Sequence, residues 1–253
     1  MAIIKSFVSA ISLYSKIPMP NLKYEEGDDR YALVFFPMVG AIILGVQYFV
    51  CLANSAYNLN KVAMAIIFML IPVMLTGGLH IDGFMDVMDA IHSYGDHTKR
   101  LEILKDPHIG AFCVIKLLEL VGIWLALLII TDIKYYPLIG LGFIVSRVLS
   151  AEALLNFKHA KNDGMLAYEK NHSSKKTCEC FLGIWLAIVI FAGWHYFGAI
   201  IFVLGLISVA CLIYYKYKSL RDFGGVTGDT AGCFLVMLET AWLLVVAVWS
   251  VMV

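Results

Sequence analysis

Three aspartates near the middle of the chain, Asp82, Asp86 and Asp89, are spaced four and then three residues apart. On a helix this spacing brings the three carboxylates together on one face. Two ionised carboxylates about 6 Å apart repel each other by roughly 3 kcal/mol at an effective dielectric constant near 20. No Lys or Arg lies between Lys61 and Lys99 to neutralise this face locally. The pattern therefore predicts a bound divalent cation, and carboxylate oxygens favour Mg²⁺, Mn²⁺ or Ca²⁺ over Zn²⁺.

A solvated acidic helix face is the alternative interpretation of the same spacing. The residues between the aspartates are largely apolar, however, and include Phe84, Met85 and Val87. These apolar residues confine the carboxylates to a narrow stripe of an otherwise buried helix, where uncompensated charges cost several kcal/mol. His80, two residues before Asp82, is a further candidate that would orient a ligand or carry a proton.

A second candidate site is the glycine-rich stretch at residues 223–232, which precedes a predicted helix. Its proposed anion-binding residues are Gly224, Gly225, Thr227 and Gly228. Glycines let backbone N–H groups approach an anion closely, and a helix N-terminus adds positive partial charge. The alternative is a flexible loop in which Asp229 or Thr230 caps the helix.

Two basic residues, Arg100 and Lys105, lie between these stretches and are candidates for binding phosphate oxygens. Arginine is suited to bidentate contact with such groups. A basic anchor at the lipid headgroups explains the same residues equally well. A cation site and an anion site on one face of a membrane suggest phosphate chemistry with Mg²⁺.

The elements that must position these residues are predicted to be membrane helices. Of the 253 residues, 61% are hydrophobic and 15% are charged, against about 25% charged in an average soluble domain. The formal net charge of zero gives no reason to expect nucleic acid as a partner. We predict an all-α, polytopic membrane helix bundle in which residues 1–253 form one integral membrane domain. The seven predicted spans are residues 31–57, 62–79, 109–131, 135–155, 180–197, 199–215 and 231–253.

Lysine and arginine are distributed unevenly among the predicted loops. Fifteen of them fall on one side of the membrane, and only Lys61 and Lys134 fall on the other. The larger set includes Lys161 and Lys170 in the loop after the fourth span. Because positive residues accumulate in cytoplasmic loops, the N-terminus and both motif regions are predicted to be cytoplasmic.

The first sixteen residues repeat apolar side chains at helical spacing, with polar side chains on another face. This pattern predicts an amphipathic helix that lies on the membrane surface. An N-terminal core helix of the bundle is the alternative.

Charged residues inside the predicted spans are functional candidates by default, because they are costly to insert in a membrane. Lys116 and Glu119 are three residues apart, so that a pair between them is one explanation of both. Arg147 is expected to meet a carboxylate from another helix and to face a ligand.

At these residues the sequence resembles the cobalamin synthase family, the adenosylcobinamide-GDP ribazoletransferases. The similarity covers an early I-P-x-P motif, the acidic signature, an R-x-E-x-x-K-D-x-x-I-G stretch and a late G-G-x-T-G-D loop. The corresponding stretches are residues 16–20, 76–89, 100–110 and 224–229. The chain departs from the common family pattern at Phe84, Ala90, Pro107 and His108, and it retains the acids.

The resemblance implies a Mg²⁺-dependent transferase of the bacterial cytoplasmic (inner) membrane, in contact with membrane lipid. It implies small-molecule substrates, namely adenosylcobinamide-GDP and α-ribazole or its 5′-phosphate. The products are adenosylcobalamin, or its 5′-phosphate, and GMP. The expected metal ligands are Asp82, Asp86, Asp89 and Asp229. The expected catalytic residues are Asp82, His80, Arg100 and Lys105.

Two other functions are compatible with the same residues. One is a membrane phosphotransferase of the CDP-alcohol type, which also uses an acidic helix, and the other is a secondary transporter with charges inside its spans. The sequence does not fix the oligomeric state, and a homo-oligomer is one possibility.

Overall fold

The computed structural model describes residues 2–23, 25, 27–57, 59–93, 95–160 and 172–253, and these form ten α-helices. Lys161 and Lys170, which contribute to the predicted charge asymmetry, lie outside the described residues. The first five helices are α1 (Ala2–Tyr14), α2 (Ala32–Tyr57), α3 (Lys61–Thr76), α4 (Leu79–His92) and α5 (His97–Ile103). The others are α6 (Ala111–Ile130), α7 (Tyr136–Asn156), α8 (Lys175–Phe197), α9 (Ile200–Phe223) and α10 (Gly228–Met252). A short 3₁₀-helix, Ile133–Tyr135, precedes α7.

Six helices are long and apolar enough to cross a membrane: α2, α6, α7 with its preceding 3₁₀ turn, α8, α9 and α10. The 16-residue α3 is joined to α4 at an angle of 93°, and this bent pair brings the number of spans to seven if it counts as one. The prediction of a polytopic all-α bundle with about seven spans is confirmed.

The predicted span boundaries differ from the observed ones where polar residues continue a helix or glycines end it. The predicted span 62–79 stops at Thr76, because the next two residues adopt a left-handed conformation. The predicted span 199–215 continues to Phe223 through a charged stretch. The last helix begins at Gly228 rather than at residue 231.

The corner between α3 and α4 is made by Gly77 and Gly78, with φ values of 66° and 82°. Residues other than glycine rarely adopt this left-handed backbone conformation. The backbone N–H of Lys16 donates to the carbonyl of Leu75 at 2.8 Å, and the Lys16 side chain fills the space where a Gly77 side chain would lie. The segment after α1 therefore covers the corner directly.

Helix α7 is the centre of the bundle. Of its membrane-span residues 94% are buried, against 22% for α6 and for α8. The close packing of α2 on α7 depends on Gly40, where an added Cβ would collide with the carbonyl of Phe143. The outer helices instead leave many apolar side chains exposed, as expected of surfaces that face lipid.

The N-terminal helix α1 combines features of both interpretations of its sequence. Val8, Ala10 and Ile11 are buried, and Ile11 belongs to the main hydrophobic core. Ile3 and Ile4 are 64% and 66% exposed. The helix thus packs on the bundle through one face and leaves apolar residues free to contact a membrane.

Candidate active site

Helix α4 carries the three predicted metal-binding aspartates on one face. Asp82 is exposed, whereas Asp86 and Asp89 are half-buried. All three line a small cavity of about 50 Å³, together with several residues between α5 and the start of α6, including Asp106 and Gly110. The spacing in the sequence therefore produces the shared carboxylate face that it predicts.

A fourth carboxylate comes from the first turn of α10. An added Cβ at Gly83 would lie 2.9 Å from the carbonyl oxygen of Asp229, so α4 and α10 nearly touch at this point. The negative charges of Asp82, Asp89 and Asp229 all act on the Asp86 carboxylate. Four acids from two distant parts of the sequence are thus held close together.

The donor set of this face consists of carboxylate oxygens, which suit a hard divalent cation. Within the described residues, no three Asp, Glu, His or Cys side chains converge closely enough to hold a metal ion by themselves. Mg²⁺ commonly binds through one or two carboxylates and completes its shell with water and substrate phosphates. The residues present fit a cation bound in that way better than one enclosed by protein alone.

The loop between α5 and α6 closes one side of the carboxylate face. The Asp89 carboxylate lies where a Cβ on Gly110 would be, so a larger residue at this position would displace that carboxylate. In the same loop, the backbone N–H and the ring of His108 both bond to Asp106 and hold the pKa of its carboxyl below the usual value. Asp106 therefore stays ionised and adds negative charge to the rim of the site.

The glycine-rich loop is shaped mainly by the protein's own backbone. Gly224 ends α9 with a φ of 75°, and Gly225 packs against the backbone of His159 and Ala160. Val226 pairs with this same segment, donating to the carbonyl of Lys158 at 2.8 Å. Two of the predicted anion-binding glycines thus have structural reasons to be glycine.

Thr227 and Gly228 occupy the beginning of α10. The Thr227 side chain caps the helix by accepting from the N–H of Thr230 at 3.1 Å, and the Thr230 hydroxyl accepts from the N–H of Thr227 at 2.8 Å. The capping residue is therefore Thr227, not Asp229 or Thr230. Apart from its chain neighbours and the backbone of its own helix, no described residue comes within 4 Å of an added Cβ at Gly228, so that side of the first turn of α10 is uncrowded.

Arg100 is held in place by Asp222, a residue that the sequence did not single out. The Asp222 side chain is 3% exposed and accepts from Arg100 Nη1 at 2.9 Å, Lys218 Nζ at 2.6 Å and Arg221 Nε at 2.8 Å. One carboxylate thus gathers three cations, and the cluster keeps an excess of positive charge. In the sequence, Asp222 could have been identified from its i, i+4 spacing to Lys218, just after a predicted span.

His97 is a second residue near the glycine-rich loop that sequence reasoning missed. Its Nδ1 lies 3.7 Å from the Cβ position of Gly224, which places the start of α5 beside the end of α9. Arg100 lies one turn further along the same helix. Helix α5 therefore brings its polar residues to the edge of the loop.

Two predicted catalytic residues lie apart from the carboxylate face. Lys105 is exposed in the loop after α5, where its side chain is accessible to a phosphate group. His80 is buried and stacks on Phe36 at a centroid distance of 6.2 Å. Side chains two residues apart on an α-helix are separated by about 200° around the helix axis. His80 therefore lies on the side of α4 opposite Asp82.

The chain is similar to known proteins over nearly its whole length. The family model described as Cobalamin-5-phosphate synthase matches residues 6–247. A protein of Lachnoclostridium phytofermentans named adenosylcobinamide-GDP ribazoletransferase is 38% identical over 231 residues, which are 91% of this chain and 88% of that protein. One with the same name from Clostridium perfringens is 30% identical over 253 residues, covering 96% of this chain and 98% of the relative. No solved structure matches the chain.

Proposed function

This chain belongs to the cobalamin-5-phosphate synthase family, and from that premise we propose the reaction that it catalyses. It is a transferase of cobalamin biosynthesis. We propose that it joins adenosylcobinamide-GDP to α-ribazole, or to α-ribazole 5′-phosphate, in a reaction that requires Mg²⁺. The products are adenosylcobalamin, or its 5′-phosphate, and GMP.

The observation that carries this proposal is the meeting of opposite charges at one end of the bundle. Four carboxylates lie on α4 and at the start of α10, and the cationic cluster around Asp222 lies at the end of α9. Transfer at a diphosphate requires compensation of negative charge on both the attacked and the leaving phosphate. Acids that hold a cation and fixed basic side chains together supply that compensation.

The predicted metal ligands keep their roles in this proposal. Asp82, Asp86, Asp89 and Asp229 would hold Mg²⁺ as one face, with one or two of the carboxylates bound directly and the others reaching the ion through water. Bound there, the ion would neutralise oxygens of the diphosphate and of the departing GMP.

The reaction itself exchanges one P–O bond for another. A hydroxyl oxygen of α-ribazole attacks the phosphorus on the cobinamide side, and the bridging P–O bond breaks with GMP as the leaving group. We assign acceptance of the hydroxyl proton to Asp82, the exposed member of the carboxylate face. Arg100, oriented by Asp222, stabilises charge on the phosphate oxygens, and Lys105 assists from the solvent side.

We propose that the N-terminus and both motif regions lie on the cytoplasmic side of the inner membrane. The support is the excess of Lys and Arg in the loops at that end, only part of which lies within the described residues.

The direct test follows GMP release by purified protein in liposomes that receive adenosylcobinamide-GDP. We expect release only when α-ribazole and Mg²⁺ are both present, and loss of release after treatment with EDTA. Restoring Mg²⁺ should restore turnover. Counterflow of substrate across sealed liposomes without GMP would instead support a transporter and refute the proposed reaction.

A further inference from the structure

A second cavity, of about 260 Å³, lies inside the bundle on the other side of α4 from the carboxylate face. Its walls come from α3, α6, α7, α10 and the first turn of α4. Most lining side chains are apolar, such as Val73, Val121 and Trp124. The polar groups include His80, Arg147 and Glu239, which makes this a mainly apolar cavity with few polar groups, as is typical of small-molecule sites.

Arg147 is the unusual member of this wall, because it is 1% exposed in the middle of the bundle. Its Nη1 donates to Glu239 Oε1 at 2.9 Å and to the carbonyl of Phe143 at 2.8 Å, so the charge is compensated. Ser146 also donates to Glu239 Oε1, at 2.7 Å. The ion pair is therefore a fixed feature that holds the guanidinium in one position.

The Nε–H of Arg147 is buried and has no hydrogen-bond acceptor among the described residues. A buried donor without a partner is destabilising, because the loss of its hydrogen bond to water is not compensated. In a cavity lined mainly by apolar groups, a ligand with one acceptor and an otherwise apolar surface would remove that cost. The indole of Trp124, fixed by donation to Thr240 Oγ1 at 2.8 Å, adds a flat aromatic surface to the wall.

We propose that this cavity binds the aromatic base of α-ribazole, with the free ring nitrogen of the base accepting from Arg147 Nε. The inference rests on the proposed function for the identity of the nucleoside. A benzimidazole-type base bonded to ribose through one nitrogen has a single in-plane lone pair on the other nitrogen, and the rest of the ring system is apolar. Among the buried side-chain polar atoms that line the cavity, Arg147 Nε is the one that the described residues leave without a partner.

The position of the cavity suits this role. His80 and Ile81 line it from the first turn of α4, and Asp82 follows directly on the carboxylate face. The first turn of α4 thus lies between the two sites, with the base site on one side of it and the proposed site of phosphate transfer on the other. In this arrangement α4 would fix the relative positions of the base and the acids.

The test uses two small probes of nearly the same shape, 1-methylbenzimidazole and 1-methylindole, of which only the first has the ring-nitrogen lone pair. Equilibrium dialysis with the purified full chain in detergent should show at least tenfold tighter binding of 1-methylbenzimidazole. Equal binding of the two probes would overturn the inference, since it would mean that a lipid-like apolar site without a hydrogen bond takes both.

Val121→Phe places a larger side chain in the cavity and leaves both members of the ion pair in the sequence, and it should weaken binding of both probes at least tenfold. Val203→Phe makes the same change at a site on α9 that is 46% exposed, and it should leave binding unchanged. Arg147→Lys removes Nε and should abolish the preference between the probes. If the lysine variant does not fold, the comparison of the two phenylalanine variants still decides the site.

Kinetics separate this inference from the proposed function. Val121→Phe should raise the KM for α-ribazole while the KM for adenosylcobinamide-GDP stays constant. GMP release with an unchanged α-ribazole KM in this variant would overturn the base site and leave the reaction standing. Selective probe binding without any GMP release would support the site and refute the reaction.

Discussion

At the scale of single residues, Asp222 shows how one buried carboxylate organises several cations. It accepts from Arg100, Lys218 and Arg221, and its side chain is almost fully enclosed. A buried carboxylate surrounded by donors restricts the rotamers of its partners, so the positive charge is fixed before substrate arrives. Removing this carboxylate would leave basic side chains unpaired and free to move.

We predict that Asp222→Asn lowers kcat/KM for adenosylcobinamide-GDP by about 10–100-fold, because Arg100 loses its anchor. Arg221→Gln should change kcat/KM less than twofold, since the Arg221 side chain is 52% exposed whereas Arg100 is 19% exposed. Steady-state GMP release measures both. Normal kinetics in Asp222→Asn would show that Arg100 needs no positioning by this residue.

The carboxylate face supports a second prediction at this scale. Asp82→Asn and Asp86→Asn should each lower kcat at least about 100-fold and raise the Mg²⁺ concentration needed for half-maximal activity. The matched control is Asp132→Asn, at the far end of the 20-residue α6, about 30 Å along the helix from the site. Full Mg²⁺-dependent turnover by Asp82→Asn would contradict the assigned role.

At the scale of elements, the site depends on the close crossing of α4 and α10. A Cβ added to Gly83 would lie 2.9 Å from the carbonyl oxygen of Asp229, and one added to Gly232 would lie 3.4 Å from the backbone of His80, in ordinary van der Waals contact. These glycines allow helices from distant parts of the chain to bring their acids to one place. The helix crossing, not a flexible loop, therefore positions the fourth carboxylate.

Gly83→Ala should destabilise the protein by about 1–3 kcal/mol and reduce turnover, because its Cβ would push α10 away. Gly122→Ala is the matched control, since no heavy atom among the described residues lies within 4 Å of its Cβ position. This control should be neutral or slightly stabilising, as alanine favours helix. Thermal unfolding in detergent compares the two, and an equal effect would contradict close packing at Gly83.

The sequence predicts the carboxylate face because helical spacing alone determines which side Asp82, Asp86 and Asp89 share. It does not predict the cap at Thr227, because that choice depends on which hydroxyl reaches the first free N–H groups. It also leaves the partner of Arg100 open, since Asp222 is brought near only by the packing of α5 on α9. The sequence thus predicts which residues share one helix face, whereas it does not predict contacts between helices that are distant in the chain.

At the scale of the whole molecule, the arrangement of helix ends brings the carboxylate face and the basic cluster around Asp222 to one end of the bundle. The segment before α2 bonds to the start of α8, where Ser174 N–H donates to the carbonyl of Arg30 at 3.0 Å. The end of α7 bonds to the loop before α10 through Val226. Both contacts join segments that the seven-span topology puts on the same side of the membrane.

Membrane orientation can be checked with two lysines of equal exposure. Lys99 and Lys134 side chains are each 61% exposed, and the proposed topology puts them on opposite sides of the membrane. In a background without native cysteines, Lys134→Cys should react with an impermeant maleimide on intact cells. Lys99→Cys should react only after permeabilisation, and the reverse pattern would invert the proposed topology.

The corner between α3 and α4 limits how this enzyme can evolve. Gly77 and Gly78 both take left-handed backbone conformations, and the Lys16 side chain lies where a Cβ on Gly77 would be. If both codons are randomised and the library is selected for adenosylcobalamin synthesis, glycine should therefore be recovered at both positions, even where neighbouring positions accept many residues.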